Sequence, residues 1–465
     1  MERHVDLVYD WTQVRGTVYV LSVETPFISM IASKRSFVVF MRSRRIRGLV
    51  AGVMGVCFFA DLSLQAADWP MFRGPEGNGI SEEKKVPLTW SAGKNVKWKV
   101  SLSAPGNGSP IVSNGRVFLV SANKEGTKRS LLCMDRKNGK LIWEKTVSFD
   151  KELPTHKTNP FGSSTPAADG ERVVVWHSSA GLYCYDFDGK ELWKRELGEF
   201  RHMWGYGTSP LLHQGKIFVN CGPGKRVFVA AFDLKTGKTL WETDEPQKGN
   251  GEKNEENKYM GSWSTPIVAE VDGMGQIVCS MSTRVNAYDP DTGKIIWSCD
   301  GISGKKGDLA YNSPTIAGDV CVAMAGFGGP FMGFKLGGKG DTTGKNRLWR
   351  AEKGPQRVGS GVYLNGNVYL ANAGPNTFQC LDPKSGKFLW EERSPGPAYW
   401  GSLVFAAGHL FVTDQGGTTT VLKPNPEKLE IVSRNEIAER SNSTPAFSDG
   451  EIFLRTFENL YCIGK

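Results

Sequence analysis

Ten residues of this 465-residue chain have side chains suited to ligand binding, and each stands shortly before a β-rich run. They are aromatic, arginine and asparagine residues: Asn107, Trp204, Tyr206, Trp263, Tyr311, Arg357, Tyr399, Trp400, Arg440 and Asn442. Aromatic rings stack on a planar or sugar-like ligand, while arginine and asparagine bind its polar rim. The alternative is that the same rings plug an internal channel and pack the innermost strands.

No arrangement of nucleophile, base and acid accompanies these residues. The six histidines are scattered, and His156 and His202 fall in connecting segments, where we expect solvated side chains. Gly326-Phe327-Gly328-Gly329 is followed by no helical pattern, which indicates a tight turn rather than a phosphate-binding loop. The sequence therefore predicts no catalytic residue and no metal ligand.

A strand-turn-strand element that recurs along the chain positions the candidates. Its clearest copy, residues 287–297, reads A-x-D-x-x-T-G-K-x-x-W, in which Asp begins a turn and Gly ends it at positive φ. The copies end at tryptophans spaced 41 to 56 residues apart: Trp98, Trp143, Trp193, Trp241, Trp297, Trp349 and Trp390. We assign a weaker copy to residues 430–432, with Ile431 at the tryptophan position.

A serine or threonine and two β-rich runs precede each of these elements. Six of these openers are followed by proline and two are not; in chain order they are Ser109, Thr165, Ser209, Thr265, Ser313, Ser360, Ser402 and Thr444. Each unit thus holds four short strands, and a repeat of this length indicates a propeller.

The two ends of the repeat array are both incomplete. Three strands follow Thr444, whereas residues 96–100 form one strand without upstream partners. We therefore predict an all-β, eight-bladed β-propeller of four-stranded antiparallel blades over residues 96–465. The N-terminal strand completes the last blade, which leaves no open edge.

The region before the array divides into three segments. Residues 1–40 carry no readable pattern and are interpreted as an extension upstream of the true start, Met41. Residues 41–67 have the basic, apolar and small-residue regions of a signal peptide, although a membrane anchor or a buried helix is the alternative. Cys57 leaves lipid anchoring open. We expect a periplasmic or secreted protein that has no transmembrane segment after cleavage.

Residues 68–95 form an irregular arm, in which we expect Trp69 and Phe72 to pack on the outside of the ring. The formal net charge of +9 is spread along the chain, which argues against a nucleic-acid partner. We expect a monomeric propeller.

The nine cysteines are isolated from one another. Four of them share one repeat position and are interpreted as small buried residues: Cys133, Cys184, Cys380 and Cys462. A disulfide stays open among four others: Cys221, Cys279, Cys299 and Cys321.

The repeated element, with its Ser/Thr-Pro openers, resembles the tryptophan-docking motif of the pyrroloquinoline quinone (PQQ) propeller repeat over residues 90–465. That repeat builds quinoprotein alcohol dehydrogenases and the propeller subunit of the outer-membrane β-barrel assembly machinery. The Trp-Pro-x-x-Arg-Gly-Pro arm after a signal peptide resembles secreted planctomycete-type members. The resemblance implies that each repeat tryptophan lies between adjacent blades, with its indole N–H bonded to a neighbouring backbone carbonyl.

A fold of this kind does not determine the function. Resemblance to the dehydrogenases implies PQQ on the axis, Ca²⁺ held by carboxylate and amide oxygens, an Asp base and, in many, two adjacent cysteines; this chain has no Cys-Cys pair. We predict a non-catalytic binding or scaffold module of the cell envelope, with a protein partner or a small polar or aromatic ligand. One alternative is a PQQ- and Ca²⁺-dependent dehydrogenase that oxidises alcohols or sugars. The other is an envelope assembly factor that binds outer-membrane protein partners.

Overall fold

The computed structural model describes residues 19–21, 29–33, 36–40 and 68–465. Tyr19–Leu21, Ser29–Ser33 and Ser36–Phe40 form a three-stranded antiparallel sheet of their own. The segment interpreted as a signal peptide, residues 41–67, lies outside the described residues, so its cleavage stays a prediction. In the part of the chain that the structure describes, no helix is both long and apolar enough to span a bilayer.

Eight four-stranded antiparallel sheets follow one another, which confirms the predicted eight-bladed propeller. Blade 1 consists of Ile111–Ser113, Arg116–Ala122, Lys128–Asp135 and Leu141–Ser148; blade 2 of Ala167–Ala168, Arg172–Trp176, Leu182–Asp186 and Glu191–Arg195; blade 3 of Leu211–His213, Lys216–Cys221, Phe228–Asp233 and Thr239–Asp244; and blade 4 of Ile267–Val271, Met274–Ser280, Arg284–Tyr288 and Ile295–Asp300. Blade 5 consists of Thr315–Ala317, Val320–Met324, Phe331–Lys335 and Arg347–Ala351; blade 6 of Val362–Leu364, Asn367–Ala371, Thr377–Leu381 and Phe388–Arg393; blade 7 of Val404–Ala406, His409–Thr413, Thr418–Leu422 and Ile431–Glu436; and blade 8 of Ala446–Ser448, Glu451–Arg455, Asn459–Ile463 and Val96–Ser101.

Five further elements of residues 68–465 lie outside this pattern. Tyr259–Ser262 and Gly307–Ala310 pair in parallel between blades, and Ser178–Ala180 is a short 3₁₀-helix. Gly340–Asp341 adds a fifth, parallel strand to blade 4. The helix Thr343–Asn346 follows it.

The chain's two ends close the ring as the sequence predicts. Val96–Ser101 pairs in an antiparallel manner with Asn459–Ile463, so that Trp98 lies opposite Cys462. The strand from before the repeat array is therefore the outer strand of blade 8, and closure leaves that sheet with four strands rather than three.

The repeat tryptophans face the next blade. Six indole N–H groups donate to a backbone carbonyl in the following blade's turn, over 2.8–3.1 Å: those of Trp98, Trp143, Trp193, Trp241, Trp349 and Trp390. Trp297 departs from this pattern, because its indole N–H donates over 2.7 Å to Gln276 of its own blade. Its ring still meets blade 5, where Phe334 lies edge-on at 5.6 Å.

The predicted eighth copy is wrong by two residues. In blade 6, the residue before the bulge, Cys380, pairs with Trp390. The equivalent residue of blade 7, Val421, pairs with Ser433, and Leu422 after the bulge pairs with Ile431. Ser433 therefore stands at the tryptophan position, and Ile431 is 40% exposed.

A tryptophan from the arm packs near this gap. Trp90 is 4% exposed and belongs to the core cluster that joins blades 7, 8 and 1. Its backbone N–H donates to Asn435 Oδ1 over 2.8 Å. The arm thus supplies an indole close to the blade whose own repeat lacks one.

The arm does not pack outside the ring as expected; it crosses the channel. Trp69 exchanges two backbone hydrogen bonds of 2.9 and 3.0 Å with Val112 in blade 1, and Pro70 accepts one of 2.8 Å from Ala168 in blade 2. Further along, Gly79 accepts one of 2.7 Å from Phe405 in blade 7. Ala168 ends its first strand, and Val112 and Phe405 lie one residue before the end of theirs, next to the tight turns. The arm crosses because the apolar ends of the first strands bury Trp69, which is 1% exposed.

The eight cysteines of residues 68–465 are free and buried. Cys133, Cys184, Cys380 and Cys462 lie opposite the repeat tryptophans of their own blades. Burial raises the pKa of the Cys133 thiol to about 12, so it stays protonated.

Candidate functional site

A cavity of about 460 Å³ occupies the centre of the ring. It is lined by the residues at the starts of the first strands, by parts of the crossover segments and, from the arm, by Phe72. The arm lies at the opposite ends of the same strands. The cavity is therefore a well, with the arm as its floor and the crossover segments at its mouth.

All eight openers line the well and form what we call the hydroxyl belt: Ser109, Thr165, Ser209, Thr265, Ser313, Ser360, Ser402 and Thr444. At seven junctions the backbone N–H of one opener donates to the hydroxyl oxygen of the next, over 2.9–3.1 Å. At the remaining junction the Ser313 hydroxyl donates to Thr265 O over 2.8 Å. The bond from Thr444 to Ser109 closes the circle.

This bonding leaves most of the hydroxyl hydrogens free. Within the described residues, only the Ser313 hydroxyl among the eight donates to another protein group. A hydroxyl that accepts an N–H keeps its own hydrogen for a further acceptor. Seven O–H donors can therefore serve a ligand in the well.

The residues two positions before the openers also line the well, and we call them the upper layer: Asn107, Ser163, Gly207, Trp263, Tyr311, Val358, Trp400 and Asn442. Residues two apart in an extended chain point the same way. Blades 8, 1, 2 and 3 contribute small or polar residues, which form the polar half. Blades 4 to 7 contribute Trp263, Tyr311, Val358 and Trp400, which form the aromatic half.

The aromatic half is supported from behind by a buried histidine. The His202 ring lies perpendicular to Trp263, with centroids 4.8 Å apart. His202 Nδ1 accepts the Trp204 backbone N–H over 3.1 Å, so Nε2 carries the hydrogen that faces Met260 O at 3.1 Å. Burial lowers the pKa of His202 to about 4, which keeps the ring neutral. The expected solvated side chain is therefore wrong for His202, which is 1% exposed.

Further rings extend this half towards the mouth. Trp204 packs against Phe327 at 5.1 Å and against Tyr259 at 4.7 Å, measured between ring centroids. Trp263 holds its own orientation by donating its indole N–H to Gly205 O over 2.9 Å. The rings therefore form a continuous surface from the hydroxyl belt upwards.

The polar half is held by the crossover between blades 1 and 2. Asn107 Nδ2 donates to Thr158 O over 3.0 Å and to Asn159 Oδ1 over 2.9 Å. Asn442 Nδ2 donates to Asn107 Oδ1 over 3.1 Å. His156, which is exposed, also lines the well. These amides are thus oriented before any ligand arrives.

Six of the ten candidates from the sequence line the well: Asn107, Trp204, Trp263, Tyr311, Trp400 and Asn442. Their role in binding stays a prediction. The other four do not line it, which corrects their expected place at the mouth: Tyr206, Arg357, Tyr399 and Arg440.

Strand parity explains three of these four misplacements. Tyr206, Arg357 and Tyr399 stand three positions before their openers, so they point away from the axis. Tyr206 lies within 5.3 Å of the buried Arg129 guanidinium. Arg357 donates to Gln379 over 2.6 Å, and Tyr399 packs against Phe378.

The fourth misplaced candidate, Arg440, is exposed and lies over the Phe457 ring at 5.0 Å.

Sequence reasoning also missed lining residues. Phe72 and Phe327 carried no repeat signal, because one lies in the arm and the other in a glycine-rich turn. The openers did repeat, and their spacing was the signal that identifies the belt.

A family model described as "Outer membrane protein assembly factor BamB" matches residues 86–148 and 127–392. The chain belongs to this BamB family. The match confirms the resemblance to the PQQ-type propeller repeat.

Curated relatives of this BamB-family chain include proteins of two kinds. BamB of Burkholderia pseudomallei is 20% identical over 75% of this chain and 94% of its own length. Polyvinylalcohol dehydrogenase of a Pseudomonas species is 25% identical over 43% of this chain, which spans 35% of that enzyme. Among solved structures, quinohemoprotein alcohol dehydrogenase of Comamonas testosteroni has a TM-score of 0.59 at 14% identity, covering 86% of this chain and 81% of that one. That likeness shows the fold alone.

The lining of the well does not fit PQQ with Ca²⁺. Its residues include no aspartate, glutamate, lysine or arginine. Calcium in proteins prefers carboxylate oxygens among its ligands, and a quinone that carries several carboxylates needs cationic partners when buried. Within the described residues, no group of three or more His, Cys, Asp or Glu side chains is arranged to hold a metal.

Proposed function

We propose that this BamB-family propeller is a non-catalytic binding module of the cell envelope whose central well takes a small, uncharged, hydroxyl-rich ligand. A sugar ring is the ligand class that the lining favours. The observation that carries the proposal is the pairing of an aromatic half with a polar half above seven free hydroxyl donors.

Each part of the lining suits one feature of a sugar. The flat C–H face of a pyranose packs on tryptophan, and Trp263 and Trp400 offer two such surfaces. Sugar hydroxyl oxygens accept hydrogen bonds from the belt. Because the lining carries no aspartate, glutamate, lysine or arginine, an ionic ligand would stay unpaired there. The volume of about 460 Å³ is within the range of small-molecule sites, roughly 300–1,000 Å³.

The test is a calorimetric titration with glucose, galactose, mannose, maltose and cellobiose, repeated with Trp400→Ala. We expect saturable binding of at least one saccharide that weakens by about tenfold or more in the variant. Tyr363→Ala is the matched control, since this aromatic residue is also half-buried but does not line the well. Failure of every saccharide to bind would reject the proposal.

The dehydrogenase relatives make PQQ the competing ligand, although the lining of the well does not fit it. Its test is a titration of PQQ with Ca²⁺, followed by quenching of tryptophan fluorescence. Quenching at tens of micromolar, together with PQQ-dependent oxidation of an alcohol, would replace the binding module with an enzyme.

A second candidate function is envelope assembly through a protein partner. The observation that favours it is length: the chain spans 94% of the Burkholderia BamB but 35% of the polyvinylalcohol dehydrogenase. A pull-down from envelope extract tests this candidate, and recovery of no specific partner would count against it.

A further inference from the structure

We infer that the well recognises the end of a neutral sugar chain rather than an internal stretch, an inference that rests on the proposed function. The reason is that the arm lies across one end of the well, so that a ligand enters and leaves at the mouth. A sugar inside a chain has links on both sides and needs two exits, whereas a terminal sugar needs one.

The arm closes the other exit and is anchored on both sides of the axis. Trp69 and Pro70 bond to blades 1 and 2, and Glu83 accepts the Gly450 backbone N–H of blade 8 over 2.9 Å. Between these anchors the buried Arg73 donates to Gly361 O of blade 6. With bonds to five blades (1, 2, 6, 7 and 8), the arm is a fixed part of the ring and not a loose tail.

Phe72 is the residue of this floor that a ligand meets. It lines the well, while its neighbours Met71 and Arg73 are buried beside it. A phenyl ring at the bottom offers contact to a terminal sugar and leaves no room for a further link. The first unit therefore lies on the floor with its hydroxyls at the belt.

The wall above provides for the units that follow. The aromatic surface continues from Trp263 to Trp204, whose ring centroids lie 5.9 Å apart. From Trp204 it continues to Phe327, at a centroid distance of 5.1 Å. A second unit stacks on Trp204, and the rest of the chain leaves through the mouth.

The experiment compares ligands that share linkages but differ in their ends. The first comparison titrates the protein with maltohexaose and with α-cyclodextrin, its cyclic counterpart with the same number of glucose units. The second titrates it with laminarihexaose and with long laminarin at equal chain concentration. We expect the linear hexaose to bind and the cyclic one not to bind, and the affinity per chain not to change with length. Equal binding of the cyclic sugar, or an affinity per chain that rises in proportion to length, overturns the inference and leaves the proposed function standing. Absence of binding by all these saccharides and by the shorter sugars overturns both.

A floor variant adds a readout that does not depend on the cyclic ligand. Phe72→Ala should lower the affinity for the linear hexaose by about fivefold or more. Val86→Ala is the control, because this residue belongs to the same arm but packs against the core of blades 7, 8 and 1, and it should leave affinity unchanged. Equal affinity of Phe72→Ala and wild type contradicts a terminal unit at the floor.

Discussion

The hydroxyl belt and the upper layer lie next to each other in the well, yet they differ in one respect. The belt has a serine or threonine in every blade, bonded in the same sense at seven of its eight junctions. The upper layer has tryptophan in two blades, asparagine in two others and glycine in one. The repeated serine and threonine residues of the belt bond one blade to the next. The non-repeating residues of the upper layer give the well its polar and aromatic halves.

The difference separates stability from recognition. Belt hydrogen bonds use the backbone N–H of one blade and the side chain of the next, so their loss affects ring closure. Upper-layer side chains contact the space inside the ring, and their loss changes what that space can bind. Variants of the repeated parts should change unfolding, and variants of the upper layer should change affinity.

Replacing the most buried repeat tryptophan should have the largest effect. Trp297→Ala removes a fully buried ring between blades 4 and 5, and should lower the free energy of unfolding by about 3–5 kcal/mol. Denaturant unfolding measures it. The control is Leu389→Ala, 47% exposed on the outer strand of blade 6, which should change stability by less than about 0.5 kcal/mol. An unchanged midpoint for Trp297→Ala would mean that this ring does not hold the blades together.

The belt should respond in the same way but less strongly. Ser109→Ala deprives the Thr444 N–H of its acceptor at the junction of blades 8 and 1. A buried donor without a partner costs about 1–3 kcal/mol. Val358→Ala is the control, since it changes the upper layer and removes no hydrogen bond. Equal unfolding free energies for the two variants would contradict the division between belt and upper layer.

Acid should lower the stability of the fold through two buried histidines, His202 and His177. Burial lowers the pKa of His202 to about 4 and that of His177 to about 3, while the unfolded chain binds these protons near pH 6.5. The unfolded state therefore binds more protons below that pH. Stability is unaffected above about pH 6.5 and declines as the pH falls towards 4, by on the order of 1–2 kcal/mol at pH 5 for His202.

Thermal unfolding from pH 7 to pH 4.5, with wild type beside His202→Gln, measures this decline. The variant should show the shallower slope, because it has one fewer histidine to titrate. The same slope for both proteins would contradict a neutral His202.

The upper layer should give the smallest change in stability and a clear change in binding. Trp400 is half-buried, and its indole N–H makes no hydrogen bond to the described residues. The free energy of unfolding of Trp400→Ala should therefore lie within about 1 kcal/mol of that of wild type. Saccharide affinity should fall about tenfold, as calorimetry would show. A stability loss as large as that of Ser109→Ala, with affinity retained, would assign Trp400 to packing.

The sequence predicted the repeated parts because they leave a periodic record. Tryptophan spacing and the Ser/Thr openers identified eight blades, and the unpaired strands at both ends indicated closure. The position of Ser433 was missed because the connection in blade 7 is two residues longer than in blade 6, so that Val421 pairs with Ser433 while Cys380 pairs with Trp390. An Ile-Val pair also imitates the end of the motif.

The non-repeating parts left no such record. The arm crosses the channel because Trp69, Met71 and Arg73 fit the inner strands of distant blades, which no local pattern reveals. Five of the eight upper-layer residues could be predicted from their aromatic or asparagine side chains. Tyr206, Arg357 and Tyr399 are of the same residue types as the ligand-binding candidates, and only their odd spacing from each opener directs them away from the axis.

The sharpest single test of sugar binding in the well is a crystal structure of the protein soaked with PQQ, Ca²⁺ and the linear saccharide that binds best. We expect a sugar ring against Trp263 and Trp400, its hydroxyls at the belt and its end at Phe72. A quinone with Ca²⁺ in the well, or a saccharide bound elsewhere on the ring, would contradict it.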